Sequence, residues 1–198
     1  MTSALRHLGF AGYDRKPWKN RRGTTHDIAM FPPGAGHDDF DLRLALSPII
    51  EDGFFSSFPG IERVITLIEG KGLALEFPDR EVLLKPEESL RFDSGLAPMG
   101  KPRGGPVKVI NVMARRRSWQ IDRCEIVQGA STQVCGTDEK LFWFCLDAGW
   151  QFDTDVKTLT AGHYDSVLVT GPASVVTTHS GKARILLTRM KKVVRTAS

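Results

Sequence analysis

The chain has 198 residues, enough for one domain of ordinary size or for two small modules with a shared core. Hydrophobic residues make up 41% and charged residues 25% of the sequence, so its composition excludes a disordered chain, a collagen-like repeat and a coiled coil. Lysine and arginine number 27 against 23 acidic residues, and this excess is spread too thinly to indicate a nucleic-acid-binding surface.

Short apolar stretches recur along the chain with glycine and proline between them. Residues 42–46 and 64–68 alternate with the period of two that is typical of β-strands. The Glu-Gly-Lys-Gly segment 69–72 predicts a tight hairpin leading into residues 73–77. Further predicted strands are residues 82–84, 90–92, 107–113, 119–127, 141–146, 156–159, 167–169, 174–178 and 183–188. Because no stretch shows a helical stripe, the sequence predicts an all-β sandwich or barrel.

The two halves of the chain carry a faint repeat with an offset of 75–77 residues. The matched pairs are Phe77 and Phe152, Leu84 and Leu159, Phe92 and Val169, Gly95 and Gly171, and Asn111 and Leu187. This offset favours a duplicated barrel with residues 115–118 as the hinge. The alternative is a chance likeness between two stretches of antiparallel β-structure.

Cysteine usage and hydropathy indicate the compartment. Cys124, Cys135 and Cys145 are odd in number and lack metal-binding spacing, so neither a disulfide framework nor a zinc knuckle is expected. No segment resembles a signal peptide or has the roughly 20 apolar residues of a membrane-spanning helix. These features predict a cytoplasmic protein without a membrane partner.

Four blocks of sequence resemble, in order, the signature segments of one protein family. The blocks are residues 17–29, residues 40–45, residues 52–63 and residues 104–116. Over residues 17–117 the chain thus resembles the HutD/Ves family of cupin-like proteins. It departs from the family pattern where Arg21 and Arg22 interrupt a glycine-rich stretch and where Leu42 replaces an aromatic residue.

The resemblance implies a bicupin, in which two small antiparallel β-barrels are formed by one chain. Residues 1–117 would form the first half and residues 118–198 the second. The family is associated with bacterial histidine utilisation and is regarded as binding or regulatory more than catalytic. A small organic carboxylate such as urocanate, an intermediate of histidine breakdown, is therefore the expected ligand, and a monomer or homodimer with no nucleic-acid partner is the expected state.

The histidines bear on whether the protein is an enzyme. Metal-dependent cupins place two histidines one residue apart on a strand, and no His-x-His occurs here, so we expect no metal and no cofactor. His163 and Asp165 would share one face of a strand, as an acid/base pair in a metal-free isomerase or epimerase does. The other interpretation of this pair is a turn. A third hypothesis is a structural or partner-binding protein with filled barrels.

The first family block supplies candidate ligand-binding residues. Trp18, Lys19 and Asn20 follow a proline that fixes the chain, and together they can present an ammonium and an amide to an anion beneath an indole. The alternative is that Trp18 plugs a barrel end while Lys19 faces water.

Two arginines are further candidates because they lie among apolar neighbours. Arg43 and Arg63 would be expensive to bury without an anion, and a guanidinium that faces the lumen suits a carboxylate. Phe58 would then add an apolar wall to the pocket; if the arginines face outward, they are ordinary surface charges. The second half carries no recognised motif, and we expect residues such as Phe142, Phe144 and Phe152 to fill its lumen.

Overall fold

A computed structural model describes residues 4–17 and 24–194, which form nineteen strands and two short 3-10 turns. The strands are β1 (Ala4–Leu8), β2 (Asp14–Pro17), β3 (Thr24–Phe31), β4 (Leu42–Ile49), β5 (Gly53–Phe54), β6 (Ile61–Glu69), β7 (Leu73–Glu76), β8 (Glu81–Leu84), β9 (Ser89–Asp93), β10 (Met99–Pro102), β11 (Val107–Arg115), β12 (Trp119–Gln128), β13 (Ser131–Cys135), β14 (Glu139–Cys145), β15 (Trp150–Asp153), β16 (Thr158–Ala161), β17 (Ser166–Thr170), β18 (Ala173–Thr178) and β19 (Arg184–Lys192). The 3-10 turns are Phe10–Gly12 and Ser94–Leu96. The all-β prediction is confirmed. No helix among the described residues is long and apolar enough to cross a membrane.

The strands form two compact units, each with two antiparallel sheets. The N-terminal unit comprises the described part of residues 14–120, with one sheet in the order β2-β3-β4-β11-β6-β9 and another in the order β5-β10-β7-β8. The C-terminal unit comprises the described parts of residues 1–13 and 121–198. Its sheets have the orders β1-β17-β14-β19-β12 and β13-β18-β15-β16.

The two units repeat one strand order, which confirms the duplication. The order β4-β11-β6-β9 recurs as β12-β19-β14-β17, and β5-β10-β7-β8 recurs as β13-β18-β15-β16. Strands β16, β17 and β19 each begin 77 residues after β8, β9 and β11. At that offset Phe152 corresponds to Leu75 and not to Phe77, so the predicted pairs Phe77–Phe152 and Leu84–Leu159 were each shifted by two positions.

Two details of the predicted organisation differ from the structure. Strand β1 pairs with β17, so residues 4–13 lie in the C-terminal unit and not in the half ending at residue 117. The predicted hairpin at residues 69–72 is wrong, because β6 pairs with β9 and β11 whereas β7 pairs with β8 and β10. Gly70, with φ of +107°, instead turns the chain from one sheet into the other.

Each unit buries a hydrophobic core that joins its two sheets. In the N-terminal unit Ile65 and Leu67 of β6 pack with Leu73 and Leu75 of β7. These side chains are fully buried, so the core fixes the two sheets against each other.

The core of the C-terminal unit is filled by aromatic side chains. Trp143, Trp150 and Phe152 are fully buried within it. Phe142 and Phe144, which were expected there with Phe152, are buried but alternate with Trp143 along β14 and so point to its other face. The ring of Phe144 packs there against Tyr164, with centroids 5.3 Å apart.

Candidate ligand-binding site

The N-terminal unit contains a cavity of about 690 Å³. It is lined by Lys16, Thr25, His37, Arg43, Ala45, Ser47, Pro48, Ile49, Glu51, Asp52, Gly53, Phe54, Phe55, Ser56, Phe58, Arg63, Asn111 and Met113. The structure thus brings Arg43, Phe58 and Arg63 to one place. Trp18, Lys19 and Asn20 lie outside the described residues.

Strand register places the two arginines on the same face of the sheet. Met113 of β11 lies opposite Arg43 of β4 on one side and opposite Arg63 of β6 on the other. Side chains of residues directly opposite one another project to the same side of a sheet. Because neighbouring strands lie about 4.8 Å apart, the backbones of the two arginines are separated by roughly 10 Å.

Arg43 is neutralised within the protein by Asp27, a residue that the sequence did not single out. The Arg43 Nε and Nη2 atoms lie 2.8 and 2.7 Å from Asp27 Oδ1, and the remaining nitrogen, Nη1, lies 4.0 Å from Met113 Sδ. The other carboxylate oxygen, Asp27 Oδ2, is 3.1 Å from Lys16 Nζ and 3.5 Å from His37 Nε2. Asp27 therefore contacts three basic side chains that line the cavity, those of Arg43, Lys16 and His37.

Arg63 has a different environment, because it is held by aromatic rings. Its guanidinium carbon lies 5.2, 5.8 and 5.7 Å from the ring centroids of Phe55, Phe58 and Phe92. Its Nη2 donates a hydrogen bond to the Ser56 carbonyl at 3.2 Å, whereas its buried Nε has no partner within residues 4–17 and 24–194. The rings fix the guanidinium but supply no counter-charge.

Arg63 is thus a buried cation without an acidic partner among the described residues. Only 4% of its surface is exposed. Burial and, next, the positive charge of Arg43 lower the pKa of Arg63 to about 9. A ligand anion beside Arg63 would relieve both effects, because it would supply the missing charge and hydrogen-bond acceptors.

A polar group accompanies the arginines on β11. Asn111, two residues before Met113 on the same face, donates from Nδ2 to Ser47 Oγ at 3.5 Å. Its buried Oδ1 has no hydrogen-bond partner in the described part of the chain. A ligand with an N–H or O–H group near Asn111 would satisfy this acceptor.

The His163–Asp165 pair lies in the C-terminal unit and has the contacts of a turn. Asp165 accepts hydrogen bonds from the backbone N–H groups of Phe10 and Gly162, each at 2.9 Å, and lies 2.8 Å from His7 Nε2. Burial alone would raise the pKa of Asp165, but these hydrogen bonds outweigh it and lower the pKa. His163 is exposed and packs its ring on Tyr164. The contacts of Asp165 therefore lend no support to an acid/base pair with His163.

The described residues contain no group of three or more His, Cys, Asp or Glu side chains placed to hold a metal ion. Two facing sheets in each of two topologically equivalent units, with a cavity lined by arginines and aromatic residues in the first unit, define a bicupin with a candidate anion site.

The chain belongs to the HutD family, whose model matches residues 11–187. It is similar to the structure of HutD from Pseudomonas fluorescens SBW25, described as a formate condition, with 26% identity, a TM-score of 0.80 and coverage of 96% of this chain and 100% of that one. A conserved protein of unknown function from Pseudomonas aeruginosa PAO1 shares the fold at 24% identity and a TM-score of 0.86, over 95% of this chain and 99% of that one. A cupin 2 conserved barrel domain protein from Leptotrichia buccalis shares it at 11% identity and a TM-score of 0.56, over 86% and 89% of the two chains.

Proposed function

We propose that the cavity of the N-terminal unit binds a small organic carboxylate and that the protein acts as a metabolite-buffering or regulatory binding protein. The observation that carries this proposal is the buried guanidinium of Arg63, which has no acidic partner in the described part of the chain. The HutD family and the cupin fold support a small-molecule-binding role of the cupin type. Urocanate is the candidate ligand, since the family is associated with histidine utilisation.

The geometry suits a planar acid. A carboxylate can accept hydrogen bonds from the Arg63 guanidinium, while Phe55 and Phe58 offer apolar surface to the rest of the molecule. A volume of about 690 Å³ lies within the range of small-molecule sites.

The number of heavy atoms in a ligand limits the affinity that it can reach. Formate has three heavy atoms, and at the ceiling of about −1.5 kcal/mol per heavy atom it reaches about −4.5 kcal/mol, or a Kd near 1 mM. Urocanate has about ten heavy atoms and reaches micromolar affinity at half that efficiency. Formate would therefore occupy the carboxylate position without acting as a sensitive signal.

The test is isothermal titration of the protein with urocanate and with its neutral amide, which has the same shape but no charge. We expect urocanate to bind with a micromolar Kd and the amide to bind at least tenfold more weakly, since a hydrogen bond to a charged group contributes about 1.5–3 kcal/mol. Equal affinities, or no binding of urocanate, would contradict the proposal. Recovery of chemically changed urocanate after incubation would favour the isomerase alternative.

A further inference from the structure

We infer that Asp27 is a built-in carboxylate that neutralises Arg43, one of two arginines lining the cavity, so that the site selects acids with a single carboxylate. This inference rests on the proposed function, because it assigns the other arginine, Arg63, to the ligand.

Asp27 has the contacts that a bound carboxylate would have. One oxygen receives two guanidinium nitrogens of Arg43 at 2.7–2.8 Å, and the other lies 3.1 Å from the Lys16 ammonium and 3.5 Å from the His37 imidazole. The Asp27 side chain is only 5% exposed. Asp27 Oδ1 is bound by Arg43, whereas Oδ2 makes ion-pair contacts with Lys16 and His37 but has no hydrogen-bond partner among the described residues. The protein itself thus supplies the carboxylate that neutralises Arg43.

Asp27 is not itself a lining residue of the cavity, but it contacts Lys16, His37 and Arg43, which are. On β3 it lies opposite Ala45, a lining residue of β4, and the strand pairing shifts register between Asp27 and Ala29. Irregular pairing of this kind can re-aim side chains, and here it accompanies an acid that contacts Arg43.

Arg43 and Arg63 therefore hold equivalent register positions opposite Met113, but only Arg43 is neutralised by an acid among the described residues. Arg43 already carries a carboxylate, whereas Arg63 has aromatic neighbours and no acid among the described residues. A second carboxylate on a ligand would compete with Asp27 for Arg43 and would be repelled by its negative charge in a poorly solvated site. Asp27 is thus a specificity-determining residue and Arg43 a positioning residue.

The experiment compares crotonate with fumarate, which share a planar four-carbon skeleton and differ by one carboxylate. Their affinities are measured by titration for the wild-type protein, Asp27→Asn, Asp27→Ala and Asp79→Asn. Asp79 is a matched control, because it is an exposed acid paired with the exposed Arg80 outside the cavity.

We expect the wild-type protein to bind crotonate at least tenfold more tightly than fumarate. Asp27→Asn should improve fumarate binding at least tenfold and remove the preference, whereas Asp79→Asn should leave the ratio unchanged within twofold. In Asp27→Ala the vacated position should accept formate, so that formate raises its melting temperature more than that of the wild-type protein.

The outcomes separate this inference from the proposed function. If the wild-type protein binds no carboxylate, the proposed function fails as well. If it binds crotonate and fumarate equally, or if folded Asp27→Asn keeps the wild-type ratio, the role of Asp27 is overturned while carboxylate binding stands. The wild-type comparison and the nearly isosteric Asp27→Asn decide the matter even if Asp27→Ala does not fold.

Discussion

At the scale of single residues, the main feature of the cavity is that its two buried arginines have different partners. Arg43 is paired with Asp27, so removing it leaves a buried carboxylate with weaker partners. Arg63 has no acidic partner among the described residues, so replacing it removes a buried charge without leaving an unpaired carboxylate. Ligand binding and folding therefore place opposite demands on Arg63.

Substituting each arginine by methionine should separate these demands. We expect Arg43→Met to lower the free energy of unfolding by about 3–5 kcal/mol, because it breaks a buried ion pair. Arg63→Met should leave stability unchanged or raise it, yet weaken urocanate binding by tenfold to a hundredfold. Arg63→Lys should also weaken binding, since the ammonium keeps the charge but loses the planar fork.

Chemical denaturation and titration with urocanate provide both measurements. Arg91→Met is the matched control, because Arg91 is half-exposed on β9 and pairs with Glu62, and both quantities should stay near their wild-type values. A large loss of stability in Arg63→Met, or unchanged urocanate affinity in that folded variant, would contradict the assignment.

The sequence pointed to some of these residues and not to others. Arg43 and Arg63 drew attention as charges within apolar alternation, and their partner strand β11 explains why they meet. Asp27 carried no such signal, because its contact with Arg43 joins two strands across a register shift that the sequence does not show. Asn111 belongs to the repeat and to the fourth family block but was not predicted as a site residue, since a lone polar residue in a strand does not reveal that it faces a cavity.

At the scale of strands, the sequence predicted those with clear alternation or an apolar run, and it missed several that are irregular or contain glycine or proline. The predicted ranges overlap β4, β6–β9, β11, β12, β14 and β16–β19. Strands β5 and β10 were missed because they are short and contain glycine or proline, and the register shift in β3 interrupts its pattern. Length alone does not decide, because β7, β8 and β16 have only four residues each and were predicted. The pairing of strands was harder to predict than their positions in the sequence. Gly70 marks a turn, but the strands that pair with β6 and β7 are set by contacts distant in the chain.

The carboxylate of Asp165 helps to hold β1 against β17. Asp165 receives two backbone N–H groups and lies 2.8 Å from His7, a residue of β1. Its pKa is lowered, so the ionised carboxylate contributes stability above its ordinary pKa of about 3.9, and this contribution is lost as the pH falls through the lowered value.

We therefore expect Asp165→Asn to lower the free energy of unfolding at pH 7 by about 1–3 kcal/mol, and the difference from the wild-type protein to shrink below about pH 4. Denaturation curves at several pH values measure it. Asp155→Asn, at an exposed position after β15, should have little effect at any of these pH values. A difference that is independent of pH would show that the charge of Asp165 is not what stabilises β1.

At the scale of the whole molecule, the two units share one strand order but differ in the residues of their interiors. The face of β6 that carries Arg63 also carries Ile65 and Leu67, which pack in the core of the N-terminal unit. In the second unit the core faces of β14 and β19 carry Leu141 and Trp143, and Ile185 and Leu187. Aromatic side chains fill the core of this second unit, so the candidate binding function belongs to one copy of the fold.

This division predicts where a bound ligand acts. Urocanate at 100 times its Kd should stabilise the structure to which it binds by about 2.7 kcal/mol. Because the cavity-lining arginines and Met113 belong to β4, β6 and β11, we expect hydrogen exchange to slow most in these strands. Their counterparts β12, β14 and β19 should change little. Equal slowing in both sets, measured by mass spectrometry with and without urocanate, would mean that binding is not confined to the N-terminal unit, and slowing only in β14 and β19 would move the site to the C-terminal unit.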